Sequence, residues 1–117
     1  EAYASGPGLQ KTAAQIFNND KITTYDVIEK AKNQDPKAIE ALEVWQSDIA
    51  LGIVGLANLF DPDCFVLSGS MEKFVDTKKI EEFVNKNIVT AKTKVLHAKL
   101  QNHAGLIGAV LLAFDVY

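Results

Sequence analysis

Residues 51–71, LGIVGLANLFDPDCFVLSGSM, constrain this chain more than any other part of it, because they read as one working unit. An apolar helix meets a Pro-bearing turn, a short buried strand follows, and a Gly in a small-residue loop opens another helix. α/β proteins build ligand-facing edges in that order, since ligands sit outside the carboxyl ends of strands where a loop enters a helix. Residues 49–60 are apolar on nearly every face, interrupted only by Gly52, Gly55 and Asn58, which predicts a helix buried all round. Asp61-Pro62 ends it, because the residue before a proline is pushed out of the helical region. Phe65-Val66-Leu67 is a continuous apolar run and predicts a strand covered on both faces. Gly69 lets the backbone approach a ligand closely, and Ser70 is placed to cap the next helix. Ser68-Gly69-Ser70 is therefore the first candidate site, although the same pattern also describes a strand-to-helix turn that holds no ligand.

The remaining elements are mostly helical. Ser5 is an N-cap for a helix whose stripe is Leu9, Ala13, Ile16 and Phe17, closed by Asn18-Asn19-Asp20. Ser5-Gly6-Pro7-Gly8 could also offer backbone N–H groups to a phosphate, but a capped helix start with a tight entry turn accounts for it more simply. Thr23 and Asp26 form a capping pair for a short helix that turns Val27, Ile28 and Ala31 inward. Asp35-Pro36 starts the long helix, which begins amphipathic around Ile39, Leu42, Val44 and Trp45 before becoming uniformly apolar.

Beyond the Gly69 loop, Ile80, Phe83, Val84 and Ile88 mark another amphipathic helix. Residues 94–100 alternate as a second strand would, with Val95, His97 and Lys99 on one face. The last helix sets Leu106, Ile107, Val110, Leu111 and Phe114 on one side, and Gly105 and Gly108 predict close packing against a neighbour. Two strands joined through a helix lie parallel, with a right-handed crossover, but cannot form a stable sheet alone.

Composition narrows the class. A chain of 117 residues with 48% hydrophobic content can bury one core, so residues 1–117 read as a single segment. The net charge of −3 and the scattered lysines leave no footprint for nucleic acid. No apolar run is long enough to span a bilayer, and the opening residues lack the blocks of a signal peptide. The single cysteine excludes an internal disulfide and suits a reducing, cytoplasmic setting. Cys64 itself reads as a small buried hydrophobe. His97 and His103 are not at metal-ligand spacing and have no second Cys or acidic cluster beside them, so no metal site is assigned to this segment.

Three segments together resemble the ROK family of repressors, open reading frames and sugar kinases. GLANLFDPDCFVLSGS is similar to the family's Asn-Leu-Phe-Asp-Pro turn, aliphatic strand and glycine loop. The opening Glu1-Ala2-Tyr3-Ala4-Ser5-Gly6-Pro7-Gly8 resembles the end of its zinc motif, where a Glu leads into a Tyr-Ala-Ser-Gly helix start. His103-Ala104-Gly105-Leu106-Ile107-Gly108-Ala109 resembles its closing Ala-Gly-Leu-Ile-Gly-Ala-Ala helix.

The resemblance implies a fold and a function. Members are substantially longer and fold as two actin-like lobes that close on ATP and a sugar. This chain would be the C-terminal part of the second lobe: an α/β, helix-rich, partial actin-like ATPase (ribonuclease H-like) lobe with a small, incomplete parallel sheet. The family's phosphate-binding Asp-Gly-Gly-Thr segment, its catalytic Asp and its zinc ligands would all precede Glu1. A start at Glu1 with no Met suits a truncated or processed piece, which would be inactive alone.

The implied activity is ATP-dependent phosphorylation of a hexose hydroxyl, with Mg-ATP as co-substrate and zinc held by upstream residues. Glu1 would accept hydrogen bonds from sugar hydroxyls, a task that suits an acceptor-only carboxylate. Ser68, Gly69 and Ser70 would line the adenosine side of the cleft, although Ser68 and Ser70 stand where many members have Gly. That departure leaves open the alternative of a sugar-responsive transcriptional repressor of the same family. Uncovered apolar faces and a bare sheet edge imply a homo-oligomer or association with the rest of the protein.

Overall fold

The computed structural model describes residues 2–100 and 103–115. In chain order it contains α1 (Gly6–Phe17), α2 (Thr24–Lys32), α3 (Pro36–Phe60), β1 (Cys64–Leu67), a 3₁₀ turn (Glu72–Phe74), α4 (Thr77–Asn87), β2 (Lys94–His97) and α5 (Ala104–Asp115).

Short-range chemistry sets the helix ends. The Ser5 hydroxyl accepts from Gly8 N at 3.2 Å, and Asn18 closes α1 in the left-handed region. Thr23 and Asp26 form a reciprocal capping box at α2: Asp26 N donates to Thr23 Oγ1 and Thr23 N donates to Asp26 Oδ2. Asp35 caps α3 with Pro36 at its first position. At its far end Asp61 turns left-handed, while its N–H still reaches Ala57 O at 2.8 Å.

The spine is α3, against which α1, α2 and α4 all pack. Its buried stripe is Ala38, Ala41, Trp45, Ala50, Ile53 and Ala57, a helical spacing that keeps one face turned inward. Leu9, Ala13, Ile22 and Val27 complete the core around the first half of the spine. Val75, Ile80, Val84 and Val95 join the same cluster. The helix is not buried all round as its composition suggests: Leu59 and Phe60 are 71% and 70% exposed, and Leu51 and Leu56 are exposed too. Apolar residues on every face announce that every face is meant to be covered, not that this chain supplies the cover.

β1 and β2 pair in parallel, with Phe65 opposite Val95 and Leu67 opposite His97. That face carries the buried Val95. The opposite face carries Cys64, Val66 and Leu96, all exposed. The expectations of a doubly covered strand and of a buried Cys64 are thus corrected: among the described residues one sheet face has no covering layer. β2 also ends at His97 rather than continuing to residue 100, with Ala98 N still donating to Leu67 O at 2.8 Å.

The two edges of this sheet differ. Lys94 N and Ala98 N point at β1, so the intervening Val95 N and the Thr93 backbone face the other way. There α4 covers them: Glu81 Oε2 accepts from Val95 N at 2.8 Å, and the Asn85 amide bonds both Thr93 N and Thr93 O, at 3.0 and 2.9 Å. β2 is closed to further strands. The outer edge of β1, where the Cys64 and Val66 backbone groups face away from β2, has no such cover among the described residues.

Size reports the same incompleteness. The chain exposes 8156 Å², where a compact monomer of its mass exposes about 6300 Å². Its radius of gyration is 16.6 Å against about 13 Å for a compact domain of this length. Part of the excess is α5, whose Leu106, Val110, Leu111, Leu112 and Phe114 are all exposed. Gly105 and Gly108 have open space where a β-carbon would sit, so the close packing expected of them has no partner among the described residues.

Candidate functional site at the carboxyl ends of the strands

Parallel strands deliver their loops to one end of a sheet, and here that end carries Ser68-Gly69-Ser70 after β1 and His97 at the end of β2. Gly69 has φ +111°, a conformation that L side chains rarely adopt, and nothing stands within 4 Å of where its β-carbon would be. The loop is therefore turned by its glycine and open on that side. Ser68 and Ser70 are exposed beside it.

The loop does not enter a helix directly. Glu72 N donates to Gly69 O at 3.3 Å, opening the 3₁₀ turn, and no side chain caps that turn. The expected cap by Ser70 is corrected: α4 starts later, capped by Asp76, whose Oδ1 accepts from Lys79 N at 3.1 Å. A tight turn satisfies its own backbone with i to i+3 bonds, which makes a serine cap redundant there.

The structure brings two sequence motifs together. A β-carbon added to Gly6 would lie 3.6 Å from the Met71 Cγ, so the loop after β1 sits beside the start of α1. That start is occupied by its own cap, in keeping with the simpler reading of Ser5-Gly6-Pro7-Gly8. Ser5 O accepts from Leu9 N, Gly6 O accepts from Thr24 Oγ1, and Gly8 is pressed against the Tyr3 backbone. Glu1, the expected sugar contact, lies outside the described residues.

Sequence reasoning missed Glu72. Its side chain is only 4% exposed, and its Oε2 bonds Nδ1 of His97, whose own side chain is 40% exposed. The two are 25 positions apart, and no spacing rule links a 3₁₀ turn to the end of a later strand. Among the described residues no group of three or more His, Cys, Asp or Glu could hold a metal ion. A groove of about 300 Å³ between α3 and α4, lined by Glu43, Ser47, Lys79 and Phe83 among others, involves none of the strand-end residues.

A helix-rich lobe on a small parallel sheet, with a glycine-turned loop at the strand ends, is a partial lobe of the actin-like ATPase fold. The chain belongs to the ROK family, whose family model matches residues 1–116. It is similar to a ROK family glucokinase from Streptomyces griseus, solved in complex with glucose and AMPPNP, with a TM-score of 0.80 and 27% identity, covering 96% of this chain and 43% of that one. A ROK hexokinase from Thermus thermophilus shares the fold at a TM-score of 0.76 and 24% identity, covering 100% of this chain and 42% of that one. A glucokinase from Pyrobaculum calidifontis is 22% identical over 71 residues, 61% of this chain and 24% of its own length. The chain thus spans less than half the length of these relatives.

Proposed function

We propose that this chain is the C-terminal part of the second lobe of an ATP-dependent ROK hexose kinase, and that it is inactive without the rest of that protein. The likeness to a glucokinase bound to glucose and AMPPNP, over 96% of this chain, carries the reading. The open loop at Gly69 fits a nucleotide: its backbone can be approached closely, and its flanking hydroxyls offer donors and acceptors.

In the complete enzyme, ATP supplies the transferred phosphoryl group. Residues of this chain hold its nucleoside side through Ser68, Gly69 and Ser70, and Glu1 accepts hydrogen bonds from the sugar. Magnesium would accompany the nucleotide, and zinc would be held by residues that precede this segment. The catalytic Asp that takes the proton from the sugar hydroxyl lies there too. Positioning and exclusion of water are what this segment contributes.

The exposed outer sheet face, the bare edge of β1 and the uncovered α3 and α5 faces support burial against the missing portion, or against a second copy. No helix among the described residues is long and apolar enough to cross a membrane. We place the enzyme in the cytoplasm, with no nucleic-acid contact by this segment. Ser68 and Ser70, in place of glycines, favour one other reading: a family repressor that keeps sugar binding without ATP turnover.

Coupled ADP release by the full-length protein, with Mg-ATP and a panel of hexoses and amino sugars, tests the proposal. Turnover on one sugar supports the kinase. Sugar binding without turnover, together with a sugar-sensitive DNA complex, replaces it with the repressor.

A further inference from the structure

The Glu72–His97 pair stands where the proposed nucleotide site is, and the family match assigns it nothing. Glu72 is chained to the Gly69 loop, since its N–H donates to Gly69 O, and its carboxylate reaches across to the last residue of β2. The strand ends are themselves held together by Ala98 N donating to Leu67 O. One buried carboxylate therefore fixes the orientation of an imidazole relative to the glycine loop.

The chemistry of that arrangement is directional. A carboxylate is an acceptor, so in the neutral imidazole it selects the tautomer with the proton on Nδ1, and in that tautomer Nε2 is an acceptor. Glu72 is buried while the His97 side chain is 40% exposed, and Nε2 is the ring nitrogen that Glu72 does not engage. Metal-ligating histidines are oriented in this way by a carboxylate behind them, and the same bond fixes a ring that accepts a hydrogen bond. An outward acceptor suits hydroxyl or amino donors and is poorly suited to ionised phosphate oxygens, which are acceptors themselves.

We infer that His97 contacts the nucleoside half of the bound nucleotide, its Nε2 accepting a hydrogen bond from a ribose hydroxyl or the purine amino group, and that Glu72 is the positioning residue behind it. This rests on the kinase reading above. His97→Ala would strand a buried carboxylate and disturb the fold, so the informative variant is His97→Asn. Its amide nitrogen takes the place of Nδ1 and keeps the bond to Glu72, while Nε2 is deleted.

Calorimetric titration of ATP, AMP and sugar into the full-length protein, beside thermal melting without ligand, provides the test. His97→Asn is expected to weaken ATP and AMP alike by roughly tenfold, with sugar affinity and melting unchanged. Glu72→Gln removes the charge that holds the proton on Nδ1, since its amide can either accept from or donate to that nitrogen, so it weakens the same ligands, and the double variant is no weaker than His97→Asn alone. Unchanged ATP and AMP binding by His97→Asn reduces the pair to a structural clasp and overturns the inference. A loss confined to ATP moves the contact to the phosphates and overturns it as well, and additive losses overturn the positioning role of Glu72. A wild-type protein that turns over no sugar and binds neither nucleotide overturns the kinase reading and this inference together, whereas wild-type binding with an unaffected variant overturns this one alone.

Discussion

The indole Nε1 of Trp45 donates to the backbone carbonyl of Ser5 at 3.0 Å, fastening the middle of the longest helix to the cap residue of the first. The same carbonyl accepts from Leu9 N at 3.0 Å, so one oxygen closes α1 and docks it on α3. Trp45 is also among the largest fully buried side chains of the core. Trp45→Ala is expected to lower stability by about 3–5 kcal/mol, since it removes both the packing and the bond. Trp45→Phe keeps most of the packing and leaves the Ser5 carbonyl its Leu9 partner, so its cost is about 1–2 kcal/mol. Urea unfolding of the two variants measures the difference; equal costs would mean that the bond, not the packing, holds the helices together.

Gly8 has no room for a side chain. A β-carbon there would stand 2.1 Å from the Tyr3 carbonyl oxygen, a backbone atom that cannot swing away as a side chain could. Gly8→Ala is expected to lower the melting temperature by displacing residues around Tyr3, at a cost of about 1–3 kcal/mol, even though alanine favours helices. Gly52→Ala, where nothing stands within 4 Å, provides the contrast. A Gly8→Ala protein that melts no lower than the Gly52→Ala protein would refute the close approach.

Asp26 gives the capping box at α2 a pH dependence. The hydrogen bond from the Thr23 side chain, then that from the Thr23 backbone, hold its carboxyl below its ordinary range; desolvation opposes them more weakly, and the charge of Lys30 adds to them least. A folded-state value below the unfolded one means stability that is fully present above the ordinary carboxylate range. That stability is lost as the pH falls through that range and then through the folded-state value. Asp26→Asn should therefore melt below the wild type at neutral pH, and the gap should close below about pH 4. Thermal melts from about pH 2 to about pH 7 measure it, and a gap that stays constant to the lowest pH would assign the loss to helix geometry instead of charge.

How far the sequence reaches depends on how far each cause acts along the chain. Ser5, Thr23 with Asp26, and Asp35 with Pro36 cap their helices within three residues, so their roles are legible without a structure. The parallel pairing of β1 and β2 follows from the helix between them. The Ser70 cap fails because a 3₁₀ turn intervenes, a feature without a periodic signature. Cys64 and the far side of α3 mislead because hydrophobicity shows what a residue requires of its surroundings, and the covering surface is not among the described residues. Glu72 is invisible in the sequence because its partner arrives 25 residues later, from another element.

The uneven edges of the sheet lead to a prediction about assembly. α4 seals β2 with Glu81 and Asn85, so any added strand must dock on the outer edge of β1. Beside that edge lies the bare face of Val66, 57% exposed, and Leu96. An unprotected edge next to an apolar surface pairs with whatever strand is available. The 117-residue chain made alone is expected to sediment above its monomer mass of 12.8 kDa. Val66→Lys sets a charge on the bare face and should shift the chain toward the monomer. Asn85→Ala acts in the opposite sense, because it uncovers the Thr93 backbone on the β2 side, opens a second edge and enlarges the assemblies. A wild-type chain that sediments as a monomer, with Val66→Lys unchanged, would show that this edge is covered within the chain itself.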